Sequence, residues 1–353
     1  MRNPFTPQPD FVSPSLNRLR LVALPGVDLP DDVAGQLGYD LLSAAALRQM
    51  VQPHAAALGL DEHDPQLLPR LDACLQTAVP HPRAHDIAHQ YGRRLGWLLL
   101  ALKQGDPANR AARPDWQNAH WAWWAQINAI WLGGGLMSGA LGQLAAAAAQ
   151  TIVQSAGFST FTVQVSPFAR DLPLHGLARL LPATATAALL FDFGHTQVKR
   201  ALAQATPTGP TVTLLPACAA PCEAYTYTPW PTDTATQVHT GMLNLIAETW
   251  QTVPGTAPLL LLSIATYLYK GHPYPTQANT GCYSRLQALC PHLATFLQET
   301  VSARLGVPLT LRLVHDGEAA AAAAAYVGWR HTAVITIGTS LGIGFPPATL
   351  NDV

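Results

Sequence analysis

The sequence has little net charge, few cysteines and no leading hydrophobic segment. Its formal net charge is −1 and its isoelectric point is about 6.9, so no general attraction to nucleic acid or to an anionic membrane is expected. Five cysteines, an odd number, are spread over 353 residues, which favours free thiols and a reducing, cytoplasmic location. Residues 1–15 lack the apolar core of a signal peptide, so we expect a flexible arm there.

Charge is missing altogether from Trp116 to Phe168. Residues 129–153 are long enough to cross a membrane, but the triplet Gly133–Gly135, the polar side chains of Gln143 and Gln150, and the lack of flanking basic anchors argue against this. We therefore predict no membrane segment. The stretch is better explained by three consecutive elements, namely a strand over 127–132, the glycine turn and a buried alanine-rich helix over 138–155.

Residues 188–204 predict two strands joined by a tight turn. An apolar run ends in Asp192-Phe193-Gly194-His195-Thr196, and an alternating run follows. A turn of this kind suits phosphate, because Gly194 allows close backbone approach and Asp192 can hold Mg²⁺ through water with Lys199 or Arg200 in reach. The same pattern also occurs in ordinary hairpins.

A second pattern strengthens the phosphate interpretation. Over 307–345 a strand runs into His315-Asp316-Gly317, an alanine helix follows from Glu318, and a further strand enters Gly338-Thr339-Ser340. With the hairpin at 192, these features form two candidate phosphate turns and one candidate base, Asp316. At 353 residues, of which 49% are hydrophobic, the chain can bury two cores, so we expect two lobes.

Three motifs resemble those of the ROK family (repressors and sugar kinases), which belongs to the superfamily of sugar kinases, actin and heat-shock ATPases. FDFGHTQVKRAL is similar to the first phosphate motif, LVHDGEAAAAA to the catalytic motif, and ITIGTSLGIG to the second phosphate motif. The resemblance implies an α/β, two-lobed actin/hexokinase-like (ribonuclease H-like) fold. The first motif opens the chain in that family, whereas here 187 residues precede it.

The N-terminal half resembles the part of a ROK protein that follows these motifs, so we infer a circular permutation. The resemblance gives Gly133, Gly134 and Gly135 the role of an adenosine turn. It also makes Gln36 and Tyr39 substrate contacts, at positions where the family has Glu and His. The predicted lobes are 184–320, with the first phosphate hairpin and the catalytic Asp, and 1–183 plus 321–353, with the adenosine turn and the second phosphate hairpin.

The resemblance implies an ATP- and Mg²⁺-dependent kinase that phosphorylates a sugar-like small molecule. Its phosphate contacts would come from Gly194–Thr196 with Lys199 and from Gly338–Ser340, and the three turns near 133, 192 and 338 would converge on one cleft. The family's two sugar-facing amides are replaced by His315 and Glu318, so we expect an altered acceptor pocket. A nucleotide-binding regulatory protein with little turnover, or an ATPase acting on a partner protein, remain alternatives.

Four further predictions concern single segments. His81, His85 and His89 have the spacing of metal ligands on a helix, although an exposed helix face explains them as well. Lys270, Asn279 and Tyr283 lie in a loop rich in polar and aromatic groups and are candidate substrate contacts. We also expect a strand over 15–24 and a helix over 286–305. The subunit is a possible homodimer.

Overall fold

A computed structural model describes residues 2–77, 79, 81–222, 231–253, 258–274, 281–324 and 331–347. The strands are β1 (Ala129–Gly133), β2 (Thr162–Val165), β3 (Ala187–Phe193), β4 (Gln197–Gln204), β5 (Thr211–Ala219), β6 (Leu259–Ile264), β7 (Leu268–Tyr269), β8 (His272–Pro273), β9 (Thr310–His315), β10 (Thr332–Ile337) and β11 (Leu341–Gly344).

The helices are α1 (Gly38–Leu42), α2 (Ala44–Val51), α3 (Leu67–Leu75), α4 (Pro82–Gln104), α5 (Pro107–Ala111), α6 (Asn118–Gln126), α7 (Ala140–Ser155), α8 (Leu172–Arg179), α9 (Thr234–Thr252), α10 (Leu293–Leu305) and α11 (Asp316–Ala324). Short 3₁₀ helices cover Leu16–Arg18, Gln52–His54, Ala56–Leu58, Gly135–Met137, Ala169–Asp171 and Cys282–Ala288. The protein therefore belongs to the α/β class, with sheets of mixed strand direction.

The chain forms two compact units. The first comprises Met1–Thr6, Pro14–Arg170 and Trp329–Ile343, and the second comprises Pro7–Ser13, Asp171–Gly328 and Gly344–Val353. The main boundary thus falls at 170/171, whereas the sequence places it at 183/184, because helix α8 packs with strands of the second unit. The second unit also includes Pro7–Ser13 and Gly344–Val353, near the two ends of the chain. The lobe boundaries that the sequence motifs predict do not include these segments in the corresponding lobe.

The first unit is built on a four-stranded sheet of order β11-β10-β1-β2. Strand β1 runs parallel to both β10 and β2. Helices α4 and α7 pack against each other, and small residues set their spacing: a Cβ at Gly92 would lie 2.6 Å from the Ala145 backbone. Such close contact lets the apolar faces of the two helices pack against each other.

The second unit contains a five-stranded sheet of order β5-β4-β3-β6-β9. Strands β3, β6 and β9 are parallel, and β4 pairs antiparallel with β3 and β5. All seven residues of β3 are buried, as expected for a central strand covered on both faces. Residues of α9 and α10 pack in one core cluster with this sheet, and residues of α8 and α11 pack in another.

Most elements agree with the sequence, and two do not. The predicted strand over 15–24 is wrong: this segment holds a 3₁₀ turn and two isolated bridges, because its backbone partners are the loop residues Gln36 and Leu37. The predicted helix over 286–305 is also wrong, since it is divided into Cys282–Ala288 and α10. Pro291 lies at the division, where its ring and missing N–H interrupt a helix.

Two further findings concern the membrane and the cysteines. None of the helices in the described part of the chain combines the length and the apolar character that a membrane crossing requires. The expectation that the thiols are free holds for Cys74, Cys218 and Cys290. It is wrong for Cys222 and Cys282, whose sulfurs are joined in a disulfide of the second unit.

Candidate active site

Asp192 lies near the carboxyl end of β3 and is 5% exposed. The register of the sheet places Lys199 of β4 opposite it on one side and Ser263 of β6 on the other. The Ser263 hydroxyl donates to Asp192 Oδ1 at 2.8 Å, and Lys199 Nζ lies 3.7 Å from Oδ2. The hairpin predicted at 188–204 therefore holds the carboxylate between a hydroxyl and an ammonium group.

Burial raises the pKa of Asp192 above its ordinary value, because a charged carboxylate is poorly solvated there. The positive charge of Lys199 opposes this rise, the negative charge of Asp316 adds to it, and the hydrogen bond from Ser263 opposes it. Because the pKa of Asp192 is raised overall, the charge of Lys199 and the hydrogen bond from Ser263 do not fully compensate the carboxylate for its loss of contact with water. An additional cation at this carboxylate would be favourable.

The turn that follows Asp192 is closed by its own backbone. The Gly194 N–H donates to the carbonyl oxygens of Asp192 and Gln197, at 3.1 and 3.2 Å. The Gly194 carbonyl accepts from the Tyr283 hydroxyl at 2.9 Å, while Thr196 is exposed. The amide of Gly194, predicted to contact phosphate, is therefore engaged within the turn in this conformation.

His195 packs against Gly281, the residue that precedes the 3₁₀ helix Cys282–Ala288, where a Cβ would lie 2.2 Å from His195 Nε2. Burial lowers the pKa of His195 to about 4, although the charge of Asp316 acts in the opposite direction. The imidazole is consequently neutral near pH 7. A neutral ring at this position can take part in hydrogen bonds to a ligand but does not add positive charge.

Strand β9 ends at His315, and α11 begins at Asp316. His315 Nε2 lies 2.9 Å from Asp316 Oδ1, with side-chain exposures of 7% and 23% respectively. The Gly317 N–H also donates to Asp316 Oδ1, at 2.7 Å, and the His315 N–H donates to Glu318 Oε2 at 3.4 Å. The junction predicted to carry the base thus holds two carboxylates around one histidine.

These neighbours change the pKa of each group in a different direction. Burial alone would raise the pKa of Asp316, but the charge and hydrogen bond of His315 outweigh it and lower that pKa. Burial alone would lower the pKa of His315, but Asp316 and Glu318 raise it overall. Burial raises the pKa of Glu318 despite the nearby His315. Asp316 is therefore the carboxylate of this cluster that is held ionised.

Strands β3, β6 and β9 are parallel, so their carboxyl ends meet at one edge of the sheet. The second unit therefore brings together, at that edge, six residues that the sequence predicts to belong to the site. Gly194 takes part through its backbone only. The six are Asp192, Gly194, Lys199, His315, Asp316 and Glu318.

The first unit brings together the other two predicted turns. Strands β1 and β10 are parallel with Gly133 opposite Thr336, and Gly134 packs against the Ile337 backbone, where a Cβ would lie 2.3 Å from the carbonyl oxygen. The turn Gly133–Gly135 therefore lies beside Gly338–Ser340. The Gly338 N–H donates to Ser340 O at 3.1 Å, and the Gly338 carbonyl accepts from the Ala44 N–H.

Gln36 and Tyr39, predicted to contact substrate, also belong to the first unit. Gln36 lines an open cavity of about 540 Å³ together with Asp40, Gln90 and the ion pair of Asp32 with Arg94. Tyr39 is partly buried in α1 and is not part of that lining. The cavity is polar, and its two carboxylates outnumber its one guanidinium group.

The histidine pattern does not form a metal site in the described residues. His81 caps the N-terminus of α4 by accepting from the Arg83 N–H, and His85 and His89 are exposed along the same helix. No group of three or more His, Cys, Asp or Glu side chains able to hold a metal ion occurs in the part of the chain that the structure describes. A magnesium ion at Asp192 would therefore need most of its ligands from water or a bound phosphate.

Sequence patterns did not predict two residues that contact the site, Ser263 and Tyr267. Ser263 is the one hydroxyl residue in the apolar run of β6, and a polar residue at this position in the run could have indicated a role at the site. Tyr267 stacks on His315 with ring centroids 4.2 Å apart, which no local pattern indicates.

Tyr283, predicted to contact substrate, is fully buried against Gly194. Lys270 lies in a turn with φ of 50°, and Asn279 lies outside the described residues.

No protein-family model matches the chain, and no curated protein is detectably similar to it in sequence. The α/β class is established by the two sheets, whereas the ROK resemblance stays a prediction.

Proposed function

We propose that the protein transfers the γ-phosphoryl group of ATP to a hydroxyl of a sugar-like small molecule, with Asp316 as the general base. The observation that carries this proposal is a pair of carboxylates at one sheet edge whose pKa values are shifted in opposite directions: Asp316 downwards by His315, and Asp192 upwards by burial. Environments that push the pKa values of neighbouring carboxylates apart are typical of acid–base sites.

In the proposed reaction, the Asp316 carboxylate accepts the proton of the acceptor hydroxyl. The hydroxyl oxygen forms a bond to the γ-phosphorus while the bond from that phosphorus to the β–γ bridging oxygen breaks, which releases ADP. Asp316 suits this role because it stays ionised and is the more exposed member of its pair with His315. A base must be charged and must also be reachable by the substrate.

Asp192 would hold Mg²⁺ through water, and Lys199 would assist in neutralising phosphate charge. A single carboxylate is sufficient, because Mg²⁺ usually keeps several waters and takes further ligands from phosphates. The raised pKa of Asp192 supports this assignment, since a cation would offset the poorly solvated charge. When bound, the ion would polarise the phosphoryl oxygens. Within the second unit, the phosphate contacts of the nucleotide are assigned to Gly194–Thr196.

We further propose that the fold is a two-lobed actin/hexokinase-like fold in which the ROK order of elements, 188–353 followed by 1–187, is circularly permuted. Two features support the proposal. A hairpin with Asp192 near its turn and a strand-to-helix junction at Asp316 end at the same sheet edge. A second glycine hairpin follows along the chain, as β10 and β11.

The test is transfer from γ-labelled ATP to a panel of aldoses, amino sugars and polyols by the full chain. We expect product with at least one acceptor, and we expect Asp316→Asn to lower the rate about 10²- to 10⁴-fold, the range typical of a general base. Glu299→Gln, an exposed carboxylate of α10, is the matched control and should leave the rate unchanged. Full activity in Asp316→Asn would contradict the assignment.

A nucleotide-binding regulatory protein is the second candidate. It is favoured by the amides of Gly194 and Gly338, which are both engaged within their own turns, and by His315, which is committed to Asp316. Calorimetric binding of Mg·ATP without turnover on any acceptor would support this candidate against the kinase. Hydrolysis that needs no acceptor and is stimulated by a second protein would instead identify an ATPase.

A further inference from the structure

The two donors at Asp316 meet the same carboxylate oxygen. His315 Nε2 lies 2.9 Å from Oδ1, and the Gly317 N–H donates to Oδ1 at 2.7 Å. A carboxylate oxygen that accepts from two donors restricts the rotation of the group about its terminal torsion. The other oxygen, Oδ2, is then the one assigned to the proton of an acceptor hydroxyl.

His315 is itself fixed on its face and at its backbone. The Tyr267 ring stacks on the imidazole at 4.2 Å with an interplanar angle of 26°, and the His315 N–H donates to Glu318. With 7% of its side chain exposed, His315 is enclosed by these groups. The ring is therefore poorly placed to contact an acceptor, which is the role that the sequence assigned to it.

We propose that His315 is a positioning residue that holds the Asp316 carboxylate in the orientation a general base needs. This inference rests on the proposed function for its catalytic meaning, but the pairing itself can be tested without any activity. It places His315 behind the base and leaves recognition of the acceptor to other groups. The negative charges that act on His315 are Asp316 and Glu318, both from α11, and Tyr267 covers its ring.

The pairing is tested by imidazole NMR of the full chain labelled with ¹³C-histidine. The signal of His315, one of 13 histidines, is assigned by its loss in His315→Gln. We expect the measured pKa of His315 to fall in Asp316→Asn, because both the charge and the charge-assisted hydrogen bond are weakened. Glu318→Gln removes a neighbouring charge from the same helix and should produce a smaller fall. The exposed His63 provides an internal control signal.

The positioning role is tested by two substitutions of His315 itself. His315→Gln keeps a donor without the charge, and His315→Phe keeps a ring against Tyr267 without a donor. We expect His315→Phe to lower kcat about 10²-fold, the loss typical of a misplaced catalytic group, with KM for ATP unchanged. His315→Gln should lose less and should move the acid limb of the pH–rate profile to higher pH, because Asp316 then lacks its positive neighbour.

The outcomes separate the two proposals. An unchanged His315 titration in Asp316→Asn, or a larger change in Glu318→Gln, would overturn the pairing whatever the activity. A wild-type kcat in His315→Phe would overturn the positioning role. If the wild-type protein transfers no phosphoryl group, the proposed function fails, and the imidazole titration still decides whether His315 holds Asp316.

Discussion

Parallel strands end side by side in both units, but their ends carry different chemistry. In the first unit β1 and β10 end in glycine turns, with Gly134 packed on the Ile337 backbone. In the second unit β3 and β9 end in or beside Asp192 and Asp316, which are buried or partly buried, and the charge of Asp316 contributes to the raised pKa of Asp192. One edge is shaped by backbone packing and the other by charge.

The difference indicates where each unit can tolerate change. An edge made of closely packed backbone is sensitive to added volume and insensitive to pH. A sheet edge made of buried carboxylates is sensitive to pH and to the loss of a counter-charge. Buried charges that are needed for activity also lower the stability of the protein. Substitutions that add a methyl group should therefore act mainly on the first edge, and substitutions that remove a charge should act mainly on the second.

The largest effect on stability is expected from Gly134→Ala. Its φ is +92°, and its Cβ would lie 2.3 Å from the Ile337 carbonyl oxygen, so both backbone strain and overlap with backbone atoms oppose a side chain. We expect a loss of about 3 kcal/mol in the free energy of unfolding, measured by urea denaturation. Gly135→Ala is the matched control, because open space surrounds its Cβ. Equal losses in the two variants would refute the packing argument.

A smaller effect of opposite sign is expected at the charged edge. A carboxyl group whose pKa is raised in the folded state stabilises that state below the unfolded pKa, and this contribution is lost as the pH rises through the folded pKa. Asp192 is such a group. Asp192→Asn should therefore be more stable than wild type at neutral pH, by about 1 kcal/mol, while losing activity. The gain should disappear on acidification.

Lys199→Met is the paired experiment for Asp192. Removing the ammonium group 3.7 Å from Asp192 Oδ2 leaves the buried carboxylate without that counter-charge, so stability at neutral pH should fall. The deficit should shrink as the pH is lowered and Asp192 takes up a proton. Thermal unfolding across a pH series measures both variants, and parallel pH curves for wild type and Asp192→Asn would contradict the electrostatic account.

Sequence patterns predicted the elements whose signals are local. The apolar run before Asp192, the alanine helix after Asp316 and the strand before Gly133 all lie where expected. Strand β5 did not stand out, because Thr211–Ala219 is largely exposed and has no clear apolar face. The failed strand over 15–24 has the opposite cause: its leucines are buried, but its partners are loop residues.

The residues of the candidate site also fall into two groups, those that a local sequence pattern predicts and those that depend on tertiary packing. Asp192 and Asp316 were found from turn and junction patterns, because a carboxylate after a buried strand is visible in one dimension. The hydroxyl of Ser263, the ring of Tyr267 and the double donation to Asp316 Oδ1 depend on strand register and on packing between distant segments. The engagement of the Gly194 and Gly338 amides also depends on how each turn closes, which residue types alone do not determine.

The smallest effect is expected from Tyr283→Phe. The change removes the hydrogen bond from the buried Tyr283 hydroxyl to the Gly194 carbonyl at 2.9 Å, which should lower the free energy of unfolding by about 0.5 kcal/mol. Amide hydrogen exchange at His195 and Thr196 should become faster, because one support of the turn is lost. Tyr269→Phe, a partly buried tyrosine on β7, serves as the control. Unchanged exchange in Tyr283→Phe would mean that the turn is held by its own backbone hydrogen bonds. The sheet edge that carries Asp192 and Asp316 would then depend less on side-chain hydrogen bonds than its contacts indicate.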